Sequence, residues 1–246
     1  VEWEEVMGGQ LGECILSESE ESVLAPSSQK KKSYHHGNLR ESLIEAAIEI
    51  IAERGRSEFT LRELAKRLGV THAATYHHFK DKDDLLSTVA ERGYREMGEY
   101  LEEASASEDQ NPIMKMRRMG AAYIRYAHEN QAYFRVMFGQ KFADINAYPE
   151  MENAGQTTKN MMETLVREGQ KAGIYNTEAN VEELIAISWA AVHGLALLTI
   201  NGHFEHLREG LELDDYVMRI SRHLFTGTGS PQAQVAVRAA NTQPPT

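Results

Sequence analysis

The stretch from Thr60 to Lys82 constrains the fold more than any other part of the chain, because it ends one helix and starts the next within a few residues. Thr60-Leu61-Arg62-Glu63 forms a capping box, in which the Thr hydroxyl accepts from the Glu amide and the Glu side chain returns to the Thr amide. A short helix to Leu68 follows, and Gly69 is placed to take the left-handed backbone that ends it. Thr71 caps another short helix running to about Phe79. Asp81 caps the next, with Leu85, Leu86 and Val89 on one face. Upstream, Leu39, Leu43, Ala46, Ala47, Ile50 and Ile51 recur at spacings of three and four, predicting a helix that stops near Gly55. Two short helices joined by so tight a turn make a helix-turn-helix.

The remainder also reads as helix. Pro112 sits at an expected first helical turn after a polar break. Met116, Met119, Tyr123 and Tyr126 share a face, as do Thr158, Met161, Met162 and Leu165. Glu182 to about Gly202 is apolar on two faces, and Asp214 to Phe225 is amphipathic; no segment alternates convincingly with period two. The expected fold class is all-α, with an N-terminal three-helix DNA-binding module and a larger helical domain. The expected boundaries are a disordered acidic tail with a basic end at 1–32, the helix-turn-helix at 33–82, a larger helical domain at 83–226, and a disordered tail at 227–246.

Charge is distributed unevenly. The net charge of -11 excludes a protein that coats nucleic acid through bulk positive charge. Residues 30–84 nevertheless hold 11 Lys and Arg against 9 Asp and Glu, and five of the ten histidines. The single cysteine, Cys14, forms no internal disulfide and fits a reducing compartment. The longest apolar stretch, Leu184 to Ile200, falls short of the roughly 20 residues a bilayer requires, so no membrane partner is expected. The first 29 residues carry seven acids and no Lys or Arg, the reverse of an export signal, and the expected location is the cytoplasm.

In a helix-turn-helix the second helix enters the major groove while neighbouring side chains grip phosphates. Thr71 offers a hydroxyl at a helix start, His72, Ala73 and Ala74 lead the helix into the groove, Tyr76, His77 and His78 reach phosphates, and Lys82 adds a point charge. The run from Thr60 to Thr71 followed by Tyr76-His77-His78-Phe79-Lys80-Asp81-Lys82 resembles the DNA-binding domain of the tetracycline-repressor (TetR) family. Ser33-Tyr34-His35-His36-Gly37-Asn38-Leu39-Arg40 is similar to the start of many members. The resemblance implies a dimeric transcription regulator, usually a repressor, with double-stranded operator DNA and a small molecule as partners, and makes 83–226 its helical effector-binding and dimerisation domain. It implies base contacts from Arg62 and His72, and phosphate contacts from Thr60, Thr71, Tyr76, His77, His78 and Lys82. The chain departs from the family pattern at His72, where Arg is frequent. It departs again at Thr75, where a larger apolar residue or Pro is common, which predicts looser packing beneath the recognition helix.

Trp189, His193 and Gly194 resemble the subgroup whose effector domain is named for Trp, His and Gly. The candidate effector residues are Tyr123, Tyr126, Phe134, Met137, Met161, Met162, Leu165, Trp189 and His193, because methionine repacks around differing ligands among aromatic rings. Core packing is the competing reading of each. A metal-responsive regulator using His193, His203 or His206 is the alternative function. No cofactor is expected, and no nucleophile elbow, phosphate loop or carboxylate pair argues for catalysis.

Overall fold

Every early helix starts where a side chain satisfies an amide that the first turn leaves unpaired. The computed structural model describes residues 38–106, 111–203, 205–207 and 210–226. Among these, α1 (Leu39–Arg54), α2 (Leu61–Leu68), α3 (His72–Tyr76) and α4 (Lys82–Ser105) precede α5 (Pro112–Glu129), α6 (Gln131–Gly139), α7 (Pro149–Lys171), α8 (Val181–Ile200) and α9 (Leu213–Thr226). The two expected tails, and the run Ser33 to Gly37, lie outside the described residues.

Asn38, Thr60, Thr71 and Asp81 accept from the amides of Glu41, Glu63, Ala74 and Asp84 at 3.3, 3.2, 3.3 and 2.8 Å. Asp84 in turn accepts from the Lys80 amide at 2.9 Å, one residue before the cap, so its carboxylate holds the chain entering α4. At Thr60 the expected return bond from Glu63 shares its carboxylate with a second partner. The Glu63 carboxylate is drawn chiefly to the Arg54 guanidinium, which holds it below the usual carboxylate range, with a lesser contribution from the Thr60 backbone. Gly69 ends α2 at φ 69° and donates to the Ala65 and Lys66 carbonyls, as its position predicted.

The helix that follows is shorter than expected. It closes at Tyr76, and the amides of His78 and Phe79 both donate to the Thr75 carbonyl at 3.1 Å, so His77 and His78 occupy a turn. Thr75 does not loosen the packing. It is fully buried, and its hydroxyl donates to the His72 carbonyl at 2.8 Å, which satisfies the one polar atom that burial would penalise.

Leu43, Ile44, Ile50, Ile51, Leu64, Phe79, Leu85, Leu86 and Val89 are almost completely removed from water and join α1, α2 and the start of α4 into one core. Each such side chain contributes roughly 1.5–3 kcal/mol of transfer free energy. Arg67 bonds Glu53 and Glu49 from α2 to α1, and Arg92 of α4 forms a bidentate pair with Glu41 of α1 at 2.5 and 2.6 Å. The second half of α4 packs on α5, α6 and α7, and α5 packs on α8 and α9.

The apolar sides of α8 divide only in part. Ile185 and Ala196 are buried and Ile187 and Leu198 are 62% and 41% exposed, but Trp189, in line with Ile185, is 45% exposed, and Leu184, in line with Ile187, packs against the core. By length and composition α8 would also suffice to cross a membrane.

Gly169 fixes how α7 ends. A Cβ there would lie 2.1 Å from a carbon of the Tyr175 ring, which folds back against the helix. Gly169→Ala should therefore destabilise the protein by about 1–3 kcal/mol through overpacking. Gly98→Ala in α4 meets only Thr158 Cγ2, at 3.9 Å, and should stabilise by about 0.5–1 kcal/mol through helix propensity. Denaturant titration of both variants measures the two signs.

Candidate nucleic-acid interface and ligand cavity

On α3 burial divides the side chains cleanly. Thr75 and, just beyond the helix, Phe79 face the core, while Thr71, His72, Ala73, Tyr76, His77 and His78 are exposed. Tyr76, half exposed, meets the His72 ring edge-on at 4.8 Å, so the two rings brace each other at the surface. Thr60, Arg62, Lys66 and His72 border one shallow depression between α2 and α3, which brings together the two residues expected to meet base edges. Arg62 has no ion-pair partner among the described residues, in contrast to Arg54 and Arg67 of the same module. Lys82 is more engaged than expected. Its ammonium donates to the Ser57 carbonyl at 3.1 Å and lies 5.7 Å from the Phe59 ring, which leaves two of its three donors for a phosphate.

Beyond the helix-turn-helix, the later turns of α4 with α5, α6, α7 and α8 line an open cavity of about 470 Å³, with Tyr94, Met97, Tyr123, Phe138, Met162 and Trp189 on its walls. A smaller lobe of about 130 Å³ between α5, α8 and α9 shares Leu101, Tyr123, Met162 and Trp189 with it. Of the nine candidate effector residues, Tyr123, Met162 and Trp189 line both lobes. His193 and Phe134 stand beside the Tyr123 wall, stacked on each other at 5.4 Å. Tyr126, fully buried, sits with its hydroxyl 4.0 Å from the Met137 sulfur. Leu165 is buried, and Met161 is partly buried against the core. Neither borders a lobe.

The sequence reading missed Tyr94, Met97 and Leu101. Their spacing of three and four continues the apolar face of α4 that was followed only as far as Val89.

One polar chain crosses this apolar wall. Trp189 Nε1 donates to the Tyr123 hydroxyl at 3.4 Å, and that hydroxyl lies 2.9 Å from His193 Nδ1. The phenol accepts from the indole and keeps its own proton available for Nδ1, the bond made by an imidazole that carries its proton on Nε2. Burial pushes the Tyr123 hydroxyl well above its ordinary pKa and pulls His193 below its ordinary 6.5, so the ring stays neutral and accepting. The described residues hold no group of three metal-ligating side chains, and His203 and His206 are exposed, so nothing supports the metal alternative.

The comparisons with known proteins agree with this geometry. The model for "Bacterial regulatory proteins, tetR family" matches residues 43–89, and that for "Tetracyclin repressor-like, C-terminal domain" matches residues 116–224. The chain belongs to the TetR family, whose named relatives are transcription regulators rather than enzymes. The HTH-type transcriptional regulator AcrR of Shigella flexneri is 35% identical over 80 residues, 32% of this chain, and the match spans only 37% of that protein. Rv0681, an uncharacterized HTH-type transcriptional regulator of Mycobacterium tuberculosis, is 23% identical over 74% of this chain and 79% of its own length. A solved protein of unknown function from Rhodococcus sp. RHA1 covers 80% of this chain and 98% of its own, at 28% identity and a TM-score of 0.65.

Because the folded pKa of His193 is depressed, the unfolded chain binds the extra proton first. Stability that is full above pH 6.5 should fall as the pH drops from 6.5 towards the lower folded value. His193→Gln should flatten the dependence of thermal stability on pH across that window. An unchanged slope would show that His193 ionises as freely in the fold as outside it.

Proposed function

We propose that the chain is a cytoplasmic, homodimeric repressor that binds a palindromic operator and releases it when a small, largely apolar molecule enters the α4–α8 cavity. The observation that carries this reading is the run of exposed Thr71, His72, Ala73, Tyr76, His77 and His78 over the buried Thr75 and Phe79. A core that holds α3 firmly while its outer face stays polar and uncovered is what groove recognition requires. Arg62 and His72 meet base edges. Thr60, Thr71, Tyr76, His77, His78 and Lys82 hold phosphates, and Ala73 allows close approach to the groove.

The cavity supports the ligand-responsive half of the reading. Its volume falls within the usual range for small-molecule sites, and its walls are mostly apolar with few polar groups. Tyr123, Met162 and Trp189 touch the effector, while Tyr126, Phe134, Met137, Met161, Leu165 and His193 support those walls from behind. Assignment to the Trp-His-Gly subgroup belongs to the same proposal and rests on Trp189, His193 and Gly194. For the ligand to release DNA it must bind more tightly to the conformation whose recognition helices are wrongly spaced, since equal affinity for both would shift nothing.

The DNA roles are separable by experiment. His72→Ala should cost about 1–3 kcal/mol at the preferred site and little elsewhere, because a base contact carries sequence information. Lys82→Ala should weaken binding about equally at all sequences and make the salt dependence shallower by about one charge. Binding to a site library at two salt concentrations, with variants of unchanged helix content, reads both. Uniform loss from His72→Ala would move base reading to Arg62.

The exposed face of α8 supports the dimer. Ile187, Leu197 and Leu198, with Leu224 of α9, are large apolar side chains at the surface, and α8–α9 contact between two copies would remove them from water. Sedimentation at micromolar concentration should show a dimer. Leu198→Glu should shift it to monomer by burying an unpaired charge, at a cost of about 2 kcal/mol or more. A wild-type protein that sediments only as monomer would remove the twofold operator as well.

A further inference from the structure

Within the cavity of about 470 Å³ the charged groups occupy one end. Lys159 of α7 and Glu182 of α8 border the larger lobe, whereas the rest of that lobe is aromatic, aliphatic or methionine wall apart from Thr158. The Thr158 hydroxyl donates to the Gly155 carbonyl at 2.7 Å, which spends its proton on the backbone. In the smaller lobe Arg117 is already committed, with Nε on the Ser221 hydroxyl at 3.1 Å and a further bond to the Met218 carbonyl. Lys159 is therefore the cation the cavity can offer to a guest.

Its present partner holds it weakly. Lys159 Nζ stands 3.7 Å from Glu182 Oε1, beyond hydrogen-bond distance, and 45% and 75% of the two side chains are exposed. Exposed pairs of this kind are screened and contribute little, so an incoming anion does not have to overcome much to take the ammonium. The first turn of α8 lies at the same rim, and the partial positive charge of a 20-residue helix start favours an anion there. Leu101, Tyr123, Met162 and Trp189 form the wall shared by the two lobes, so a guest anchored at Lys159 lays its body against an apolar surface.

We propose that this cavity selects amphiphiles with an anionic head, a carboxylate or its equivalent, which pairs with Lys159 while the apolar body lies against Trp189 and Tyr123. The inference rests on the reading of this cavity as the effector site, and it adds the class of molecule. Lys159 is the residue that sets head-group charge, and Glu182 is its competitor. The head group displaces Glu182 from the ammonium, so the acid opposes anionic guests and its neutralisation helps them.

The probes are decanoate, decanol and decyltrimethylammonium, each below its micelle concentration, titrated calorimetrically into the full chain. Decanoate should bind about tenfold more tightly than decanol, the margin of one charge-assisted hydrogen bond. Lys159→Met should bring decanoate to the level of decanol and leave decanol unchanged, and Glu182→Gln should tighten decanoate. Equal affinity for acid and alcohol overturns the inference. So does tightest binding of the ammonium with loss in Glu182→Gln.

Release of a DNA site selected by the protein from a random library is measured in parallel. Preferential decanoate binding without any change in DNA affinity sustains the head-group assignment and overturns the effector role. Release by acid and alcohol at equal concentrations does the reverse. Failure of all three probes to bind overturns the anionic-amphiphile assignment.

Discussion

A single helix of 24 residues, α4, runs from the core that fixes α3 to the wall of the cavity, and the remaining helices are arranged around it. At 1.5 Å per residue it is about 36 Å long. Its first turns bury Leu85, Leu86 and Val89 in the core that fixes α3, and its later turns present Tyr94, Met97 and Leu101 to the cavity. A continuous helix is stiff along its axis, so a guest that presses on Tyr94 or Met97 acts on the same rigid body that holds the recognition helix. The packing that grips each half is what makes this useful. Gly93 lets α4 approach α6 so closely that the Met137 sulfur lies 2.5 Å from where a Cβ would be, so the crossing is specified by the absence of a side chain.

A second line of contact runs beside the helix. Phe138 lines the cavity near the end of α6, and two residues later Gln140 accepts from the Ser57 hydroxyl at 3.0 Å and donates to Asp83 at 3.4 Å. Ser57 also takes the Lys82 ammonium on its carbonyl. The end of α6, the loop between α1 and α2 and the first turn of α4 are thus tied at one point. Such ties are individually modest, about 1 kcal/mol net for the neutral Ser57–Gln140 bond and about 1.5–3 kcal/mol for those to the charged Lys82 and Asp83. Their effect is geometric, because they leave the loop before α2 few ways to move independently of α6.

How much of this could be read from the sequence depended on the range of the interaction that encodes each feature. Caps and terminators are local. Thr60, Gly69, Thr71, Asp81 and Pro112 are found where their chemistry placed them. The covered side of α8 was less legible, since the helix is apolar nearly all round and packing against α5 and α7 decides which residues are covered. The end of α3 was not legible, because Tyr76-His77-His78-Phe79 contains no breaker. The chain turns there so that Phe79 can enter a core assembled by α1 and α4, which no local signal announces. The Lys82 ammonium was read as free for the same reason, its partner being the Ser57 carbonyl from 25 residues away. Among the effector candidates, those nearest one another on α5 and α8 proved to be cavity wall at Tyr123 and Trp189. Tyr126, three residues along α5 from Tyr123, is turned into the core instead. Aromatic and methionine composition cannot make that distinction, because wall and core require the same side chains.

The position of Trp189 ties the remaining properties together. It borders both lobes of the cavity, donates to Tyr123, and is still 45% exposed on a helix whose outer face is apolar. A side chain that is at once cavity wall and surface cannot respond to a guest without altering the surface it belongs to. If two copies meet across α8, guest binding and dimer geometry share this residue, and their coupling is reciprocal: whatever the guest does to the interface, the interface does to guest affinity by the same factor. The polar chain from Trp189 through Tyr123 to His193 then acts as a constraint rather than a reactive group. It fixes the ring orientation on which both surfaces depend, using a histidine that burial keeps neutral and therefore able to accept the bond.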